Sequence, residues 1–203
     1  YYNFGCAGAC HTYILNQVVQ ANEIYNFNAE TDYITVGTTG FGRFSRVGVD
    51  DNDPTDHKWL VNGDIFPEFD QHPDNARLWA REFDSYQWSV YRSLSALKTI
   101  KLILDLKGVE HKIYSSIYNK HLINLEFVPQ NNNTIDMIKQ FNSLVETDES
   151  VDDFLVDYNS TKGLLGIKDI PWVDGHPLVC NSVDYVKKYF SEYNTDVTNL
   201  IAH

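Results

Sequence analysis

Asp32-Tyr33-Ile34-Thr35-Val36-Gly37-Thr38-Thr39-Gly40-Phe41-Gly42 is the stretch that decides the fold. Its first half is short, β-branched and bounded, the character of a buried strand, and its second half is a Gly/Thr-rich turn. The same unit precedes it. Residues 1–5 read as the end of a strand, and Gly5-Cys6-Ala7-Gly8-Ala9-Cys10 forms a small-residue turn. That turn feeds a helix expected over about 11 to 24, with Ile14, Val18, Val19 and Ile24 on its apolar side.

Working outward, residues 48–75 are rich in Asp, Asn and Pro with scattered aromatics (Trp59, Phe66, Phe69), which predicts a long excursion over the surface. From about 75 to 107 the apolar positions recur at helical spacing through Leu78, Trp79, Phe83, Tyr86, Val90, Leu94, Leu97, Ile100 and Leu104, and Gly108 supplies the stop. The aromatic residues Trp79, Phe83, Tyr86 and Tyr91 are assigned to the packed face of this helix rather than to a stacking platform. Val109 to Ile117 then reads as a strand reached after a crossover helix, and therefore as parallel to its neighbour. Residues 134–145 and 151–158 read as short helices. Ile170-Pro171-Trp172-Val173 leads into Asp174-Gly175-His176-Pro177, after which Val183, Val186 and Phe190 mark a terminal helix.

Strand, glycine turn and helix, repeated with long connections, predict a three-layer α/β/α fold with a flavodoxin-like parallel sheet. The 203 residues, 43% of them hydrophobic, suit one domain over 1–203, and a chain of this size buries roughly 70% of the surface its unfolded form exposes. Both glycine turns and the Asp-Gly-His-Pro loop are then expected at the carboxyl edge of the sheet, where ligands gather in such folds.

Sixteen basic against 28 acidic side chains give a net charge of −12. That balance repels phosphate backbones and anionic lipid, so neither nucleic acid nor a membrane is expected as a partner. No run of roughly 18 apolar residues is present to span a bilayer. Cys6, Cys10 and Cys180 are an odd number without paired spacing, which points to burial in a reducing compartment, cytoplasmic or virion-associated, rather than to a disulfide framework. With His11 they could supply four zinc ligands, but the short C-x-x-C knuckle is missing and no metal or cofactor is expected. The chain opens without an initiator Met, so the absence of a leader carries no information about compartment.

For chemistry, Asp174 and His176 stand out. A carboxylate beside an imidazole on one short loop can fix its tautomer and stabilise the imidazolium formed in base catalysis. Gly175 permits an unusual backbone angle, and Pro177 stiffens the exit. The plainer alternative is a helix-entry turn with a surface histidine. His11, just after the first glycine turn, either faces the same edge or is simply a polar residue near a helix N-terminus. No G-x-G-x-x-G or Walker pattern occurs, which disfavours a nucleotide binder.

Asn3-Phe4-Gly5-Cys6-Ala7-Gly8-Ala9, Val36-Gly37-Thr38-Thr39-Gly40-Phe41-Gly42-Arg43 and Asp174-Gly175-His176-Pro177 resemble, in order, the second, third and fourth sequence blocks of SGNH (GDSL-type) hydrolases. The likeness is closest to the divergent branch found in tailed bacteriophages and spans essentially the whole chain. It implies an ester hydrolase with His176 as general base, Asp174 as its orienter and the Gly8 backbone N–H in the oxyanion hole. Thr39 falls at the third-block position and Arg43 near the pocket. The substrate implied is a small-molecule or glycan ester, for instance an O-acyl group on a carbohydrate. Three departures are plain. The Asp174-to-His176 spacing is one residue shorter than the family's commonest form. Thr39 stands where the family generally has Asn, and no Gly-Asp-Ser nucleophile turn occurs, the nearest string being Gly63-Asp64-Ile65. The resemblance places that serine on a first strand preceding Tyr1. The rival expectation is a non-catalytic SGNH-like module, structural or glycan-binding, associated with other proteins of a virus particle.

Overall fold

In the computed structural model, which describes residues 2–4, 9–50, 53–64, 85–115, 131–147 and 187–189, the first helix, α1 (His11–Tyr25), starts directly behind the small-residue turn. Its Cys10 N-cap is extended and offers no side-chain cap, and the helix ends at Asn26 in the left-handed region (φ 47°), its N–H bonded to the Asn22 carbonyl. Asn tolerates that conformation better than most side chains. His11, Val18 and Ala21 form the buried face. Ile24, expected among them, is 67% exposed. At about 100° per residue it lies roughly 120° around the helix from Val18, so it faces away from the core.

β1 (Tyr33–Thr38) follows as expected and pairs in parallel with β4 (Glu110–Ser115), in register from Tyr33 opposite Glu110 to Thr38 opposite Ser115. A parallel pair requires a long crossover, and here it includes α2 (Tyr86–Lys107). Ser85 caps that helix by accepting from the Trp88 N–H at 3.1 Å. The stop is Gly108 at φ 64°, with Gly108 N–H on the Asp105 carbonyl and Val109 N–H on the Leu104 carbonyl, the paired bonds of a Schellman motif. Of the face predicted to pack, Tyr86, Val90, Leu94 and Leu97 are buried, and Trp79 and Phe83 lie outside the described residues. Tyr91 is not on that face. Five residues on from Tyr86, about 140° around the helix, it is half-exposed and stacks on Trp88.

The core is built where α2 lies against α1 and α3 (Asn132–Ser143). Val90, Leu97, Ile100 and Leu104 of α2 join Val36 of β1, Ile113 of β4, and Ile138 and Phe141 of α3 in one cluster. Asn131 caps α3 through the Thr134 N–H at 2.8 Å. Beyond α3 the chain returns to β4. Glu146 N–H bonds the Ile113 carbonyl, its carboxylate accepts from Ile113 N–H, and the Thr147 hydroxyl accepts from Ser115 N–H. These bonds satisfy backbone groups on the β4 edge away from β1.

The largest difference from expectation lies between β1 and α2. Instead of a surface excursion from residue 48, the chain forms an antiparallel hairpin of β2 (Arg43–Asp50) and β3 (Asp53–Asp64), with irregularities at Phe44/Ser45 and Val49/Asp50. The pairing runs from Arg43 opposite Asp64 to Asp50 opposite Asp53. Residues 65–75 of the predicted excursion lie outside the described residues. Tyr2 to Phe4, expected as a strand end, are not in a strand; Tyr2 and Phe4 instead contact the Tyr25 ring.

The result is a mixed α/β arrangement with a two-stranded parallel sheet. The predicted helix at 151–158 and the strand and loop at 170–177 lie outside the described residues. Of the predicted last helix, residues 187–189 are helical, and Lys112 of β4 donates to the Tyr189 carbonyl. Among the described residues no helix is long and apolar enough to cross a membrane.

Candidate functional site

The carboxyl end of β1 is where the described residues bring polar groups together. Thr39 follows the strand directly, and the turn closes with the Arg43 N–H on the Gly40 carbonyl at 3.3 Å. The Thr39 N–H donates to Nε2 of His11, the first residue of α1, at 3.2 Å. One turn of the sheet edge is thereby tied to the start of the helix that precedes it in sequence. A second tie lies alongside. The Cys10 N–H donates to the Ser45 hydroxyl at 3.3 Å, and both residues are buried.

Aromatic rings seal the inner side. The His11 ring meets Phe141 edge-on at 5.0 Å, and Phe41 packs perpendicular to Phe141 at 4.8 Å and to Tyr86 at 6.3 Å. Such edge-to-face contacts are favourable between rings and hold the imidazole in one orientation. His11 is only 2% exposed. Burial, with the Arg43 guanidinium as a lesser cause, lowers its pKa from 6.5 to about 3. It is neutral across the physiological range. Because Nε2 accepts a hydrogen bond, the proton of the neutral ring sits on Nδ1, and that buried donor has no acceptor among the described residues.

Of the residues predicted to form the site, Thr39 and Arg43 are brought to this edge. Thr39 is buried with its amide engaged by His11, and Arg43, the first residue of β2, is partly buried. Gly8, Asp174 and His176 lie outside the described residues, as do Cys6 and Cys180. His11 is both the first residue of α1 and a partner of the turn after β1, and there it is a buried acceptor. Ser45 and Phe141 were not foreseen as its companions. Ser45 falls between the glycine turn and the excursion read from residue 48, and Phe141 within a segment read as an ordinary helix. Cys10 is a free buried thiol. Among the described residues no three His, Cys, Asp or Glu side chains group as metal ligands.

A second feature lies on the surface between α2 and α3, where Trp88 and Tyr91 stack at 5.2 Å with rings 19° apart and line a shallow open depression with Ser85, Gln87 and Met137. Each ring is about half-exposed, at 50% and 49%. No family model, no curated protein and no solved structure matches the chain.

Proposed function

We propose that the chain is the later part of an SGNH-type serine ester hydrolase with a three-layer α/β/α architecture, acting on O-acyl groups of carbohydrates. The observation that carries this reading is the parallel pairing of β1 with β4, with the turn after β1 bonded to the start of α1. In parallel sheets the carboxyl edge is where turns from successive units meet and ligands bind. The reading requires a Gly-Asp-Ser turn, which the 203 residues do not contain; residues preceding Tyr1 would have to supply it. The serine hydroxyl attacks the ester carbonyl, His176 takes its proton and returns it to the leaving alcohol, and Asp174 orients the imidazole. The Gly8 N–H faces the developing oxyanion, with the Thr39 turn beside it and the Arg43 charge at the rim.

The test is turnover of a short-chain aryl ester and of acetylated sugars by a longer form that includes the serine turn. His176→Ala should lower turnover by at least about a hundredfold, the lower scale for losing a positioned general base. Equal turnover with and without His176 would refute the catalytic assignment.

A second reading, a non-catalytic glycan-binding module of a virus particle, is favoured by two observations. Thr39 is buried with its amide engaged, and the exposed Trp88–Tyr91 pair offers flat apolar surface of the kind that stacks on sugar rings. A folded longer form that binds glycans without cleaving any ester in the panel would establish it.

A further inference from the structure

We infer that Trp88 and Tyr91 form a stacking subsite for a neutral sugar ring, placed at the end of the molecule where the turn after β1 lies. The inference rests on the carbohydrate reading above and deepens it, but it requires no hydrolysis. It begins with two rings on the outer side of a helix. Trp88 and Tyr91 stand three residues apart on α2 and share a face, and that face is turned from Tyr86, which packs in the core. Each ring keeps about half of its surface open. Single exposed apolar residues are ordinary, whereas a contiguous aromatic pair lining a depression is the kind of patch that marks a binding surface.

The rings lie 5.2 Å apart and 19° from parallel, so each fixes the orientation of the other before any ligand arrives. Binding then costs little side-chain ordering. Ser85, Gln87 and Met137 complete the lining of the depression, and all five lining residues are uncharged. The depression is shallow, so it suits a flat ligand. A pyranose has that shape. Its C–H groups form an apolar face that meets the electron-rich face of an aromatic ring, and its hydroxyls lie at the ring edge, within reach of the polar tips of Trp and Tyr. The net charge of −12 sets nucleic acids and anionic sugars at a disadvantage.

The position of the pair ties it to the sheet edge. Tyr86, two residues before Trp88, packs perpendicular to Phe41 of the turn after β1 at 6.3 Å. Phe41 in turn meets Phe141 of α3 at 4.8 Å, and Met137 stands one helical turn before Phe141. The aromatic cluster thus fills the inner side of the seam between α2 and α3, and the depression opens on its outer side. Farther along α2, Lys98 donates to the Gln140 side chain at 2.8 Å and bridges the two helices. The open stretch is the one nearer the start of α2.

The experiment titrates the protein with cellohexaose, maltohexaose and the hexamer of N-acetylglucosamine, and follows the indole N–H resonance of Trp88. At least one of these sugars should bind saturably and shift that resonance, whereas heparin, a polyanionic glycan, should not. Trp88→Ala and Tyr91→Ala should each weaken the binding about tenfold or more, the scale of truncating a central aromatic anchor. Trp88→Phe should keep most of it. Leu106→Ala, at a 78% exposed position near the other end of α2, should bind as the parent does. Ester turnover by the longer form is a separate readout: sugar binding without turnover removes the hydrolase reading alone, and turnover without sugar binding removes this site alone. No binding of any of the three sugars, a Trp88→Ala protein that binds as tightly as the parent, or a Trp88 resonance that answers adenosine and no sugar would each overturn the site.

Discussion

Acidification should destabilise this protein through His11, and the size of the effect follows from where the imidazole sits. In the unfolded chain the ring titrates near 6.5, whereas in the folded protein burial and the Arg43 charge lower the value to about 3. Above pH 6.5 both states are neutral at this site and the group adds no pH dependence. Below 6.5 the unfolded chain takes up a proton that the folded protein does not, so unfolding becomes easier as pH falls, by about 1.4 kcal/mol per pH unit, until the folded ring also protonates near pH 3. The full loss is on the order of 5 kcal/mol, comparable with the whole stability of a small domain. Protonation would also turn Nε2 from acceptor to donor and break the bond from Thr39. The assay is urea denaturation of the parent and of His11→Gln at a series of pH values between 7 and 4. A glutamine oxygen can accept from Thr39 but does not titrate. Any constant difference in stability between the two proteins is irrelevant, and other titrating groups cancel in the comparison. The parent should lose stability faster by one proton's slope between about pH 6 and 4. Parallel pH profiles would show that His11 is not buried neutral and would refute the reasoning.

Leu97→Ala should destabilise by roughly 2–5 kcal/mol, because the side chain is fully buried among α1, α2 and α3 and truncation leaves a cavity; an unchanged urea midpoint would show that the face is misassigned. Gly108→Ala should cost about 1 kcal/mol through its left-handed φ of 64° rather than through crowding, since an added Cβ would meet Ala29 at an ordinary 3.7 Å. Chemical denaturation reads that loss, and a stabilised variant would contradict the capping assignment.

The elements that were legible in the sequence are those whose signals are local. β1 is a bounded β-branched run, α2 is a long apolar period closed by glycine, and β4 follows at crossover distance, so strand, helix and parallel pairing could all be anticipated. The β2–β3 hairpin was hidden because Asp53-Pro54-Thr55-Asp56-His57-Lys58 has neither hydrophobic alternation nor β-branched density, and the two irregularities break what alternation remains. Tyr91 was misplaced for a different reason. Aromatic type outweighed angle, although its position five residues from Tyr86 already put it off the packed face. His11 could not be read from its neighbours at all. Its burial depends on Phe141, brought from the far side of the sequence by the packing of α3 on α2.

The turn after β1 has two unlike sides, and the difference constrains any chemistry there. On the inner side Thr39 gives its amide to His11, and Phe41 and Phe141 close over the ring, so no substrate group can meet Thr39 without displacing a buried hydrogen bond. Breaking that bond would leave a second orphaned nitrogen on an imidazole that already has one, at roughly 1–3 kcal/mol for each buried unsatisfied group. On the outer side Gly40 borders open space, an added Cβ there meeting no atom within 4 Å. Hydrolysis at this edge would therefore use the outer side, with the His11–Thr39 bond acting as the fixed support that holds the turn in place. Under the proposed reading Thr39 would then act through the shape of the turn rather than through its side chain. Under the proposed reading a side-chain donor at that position would have to reach outward, whereas Thr39 is buried with its amide engaged by His11.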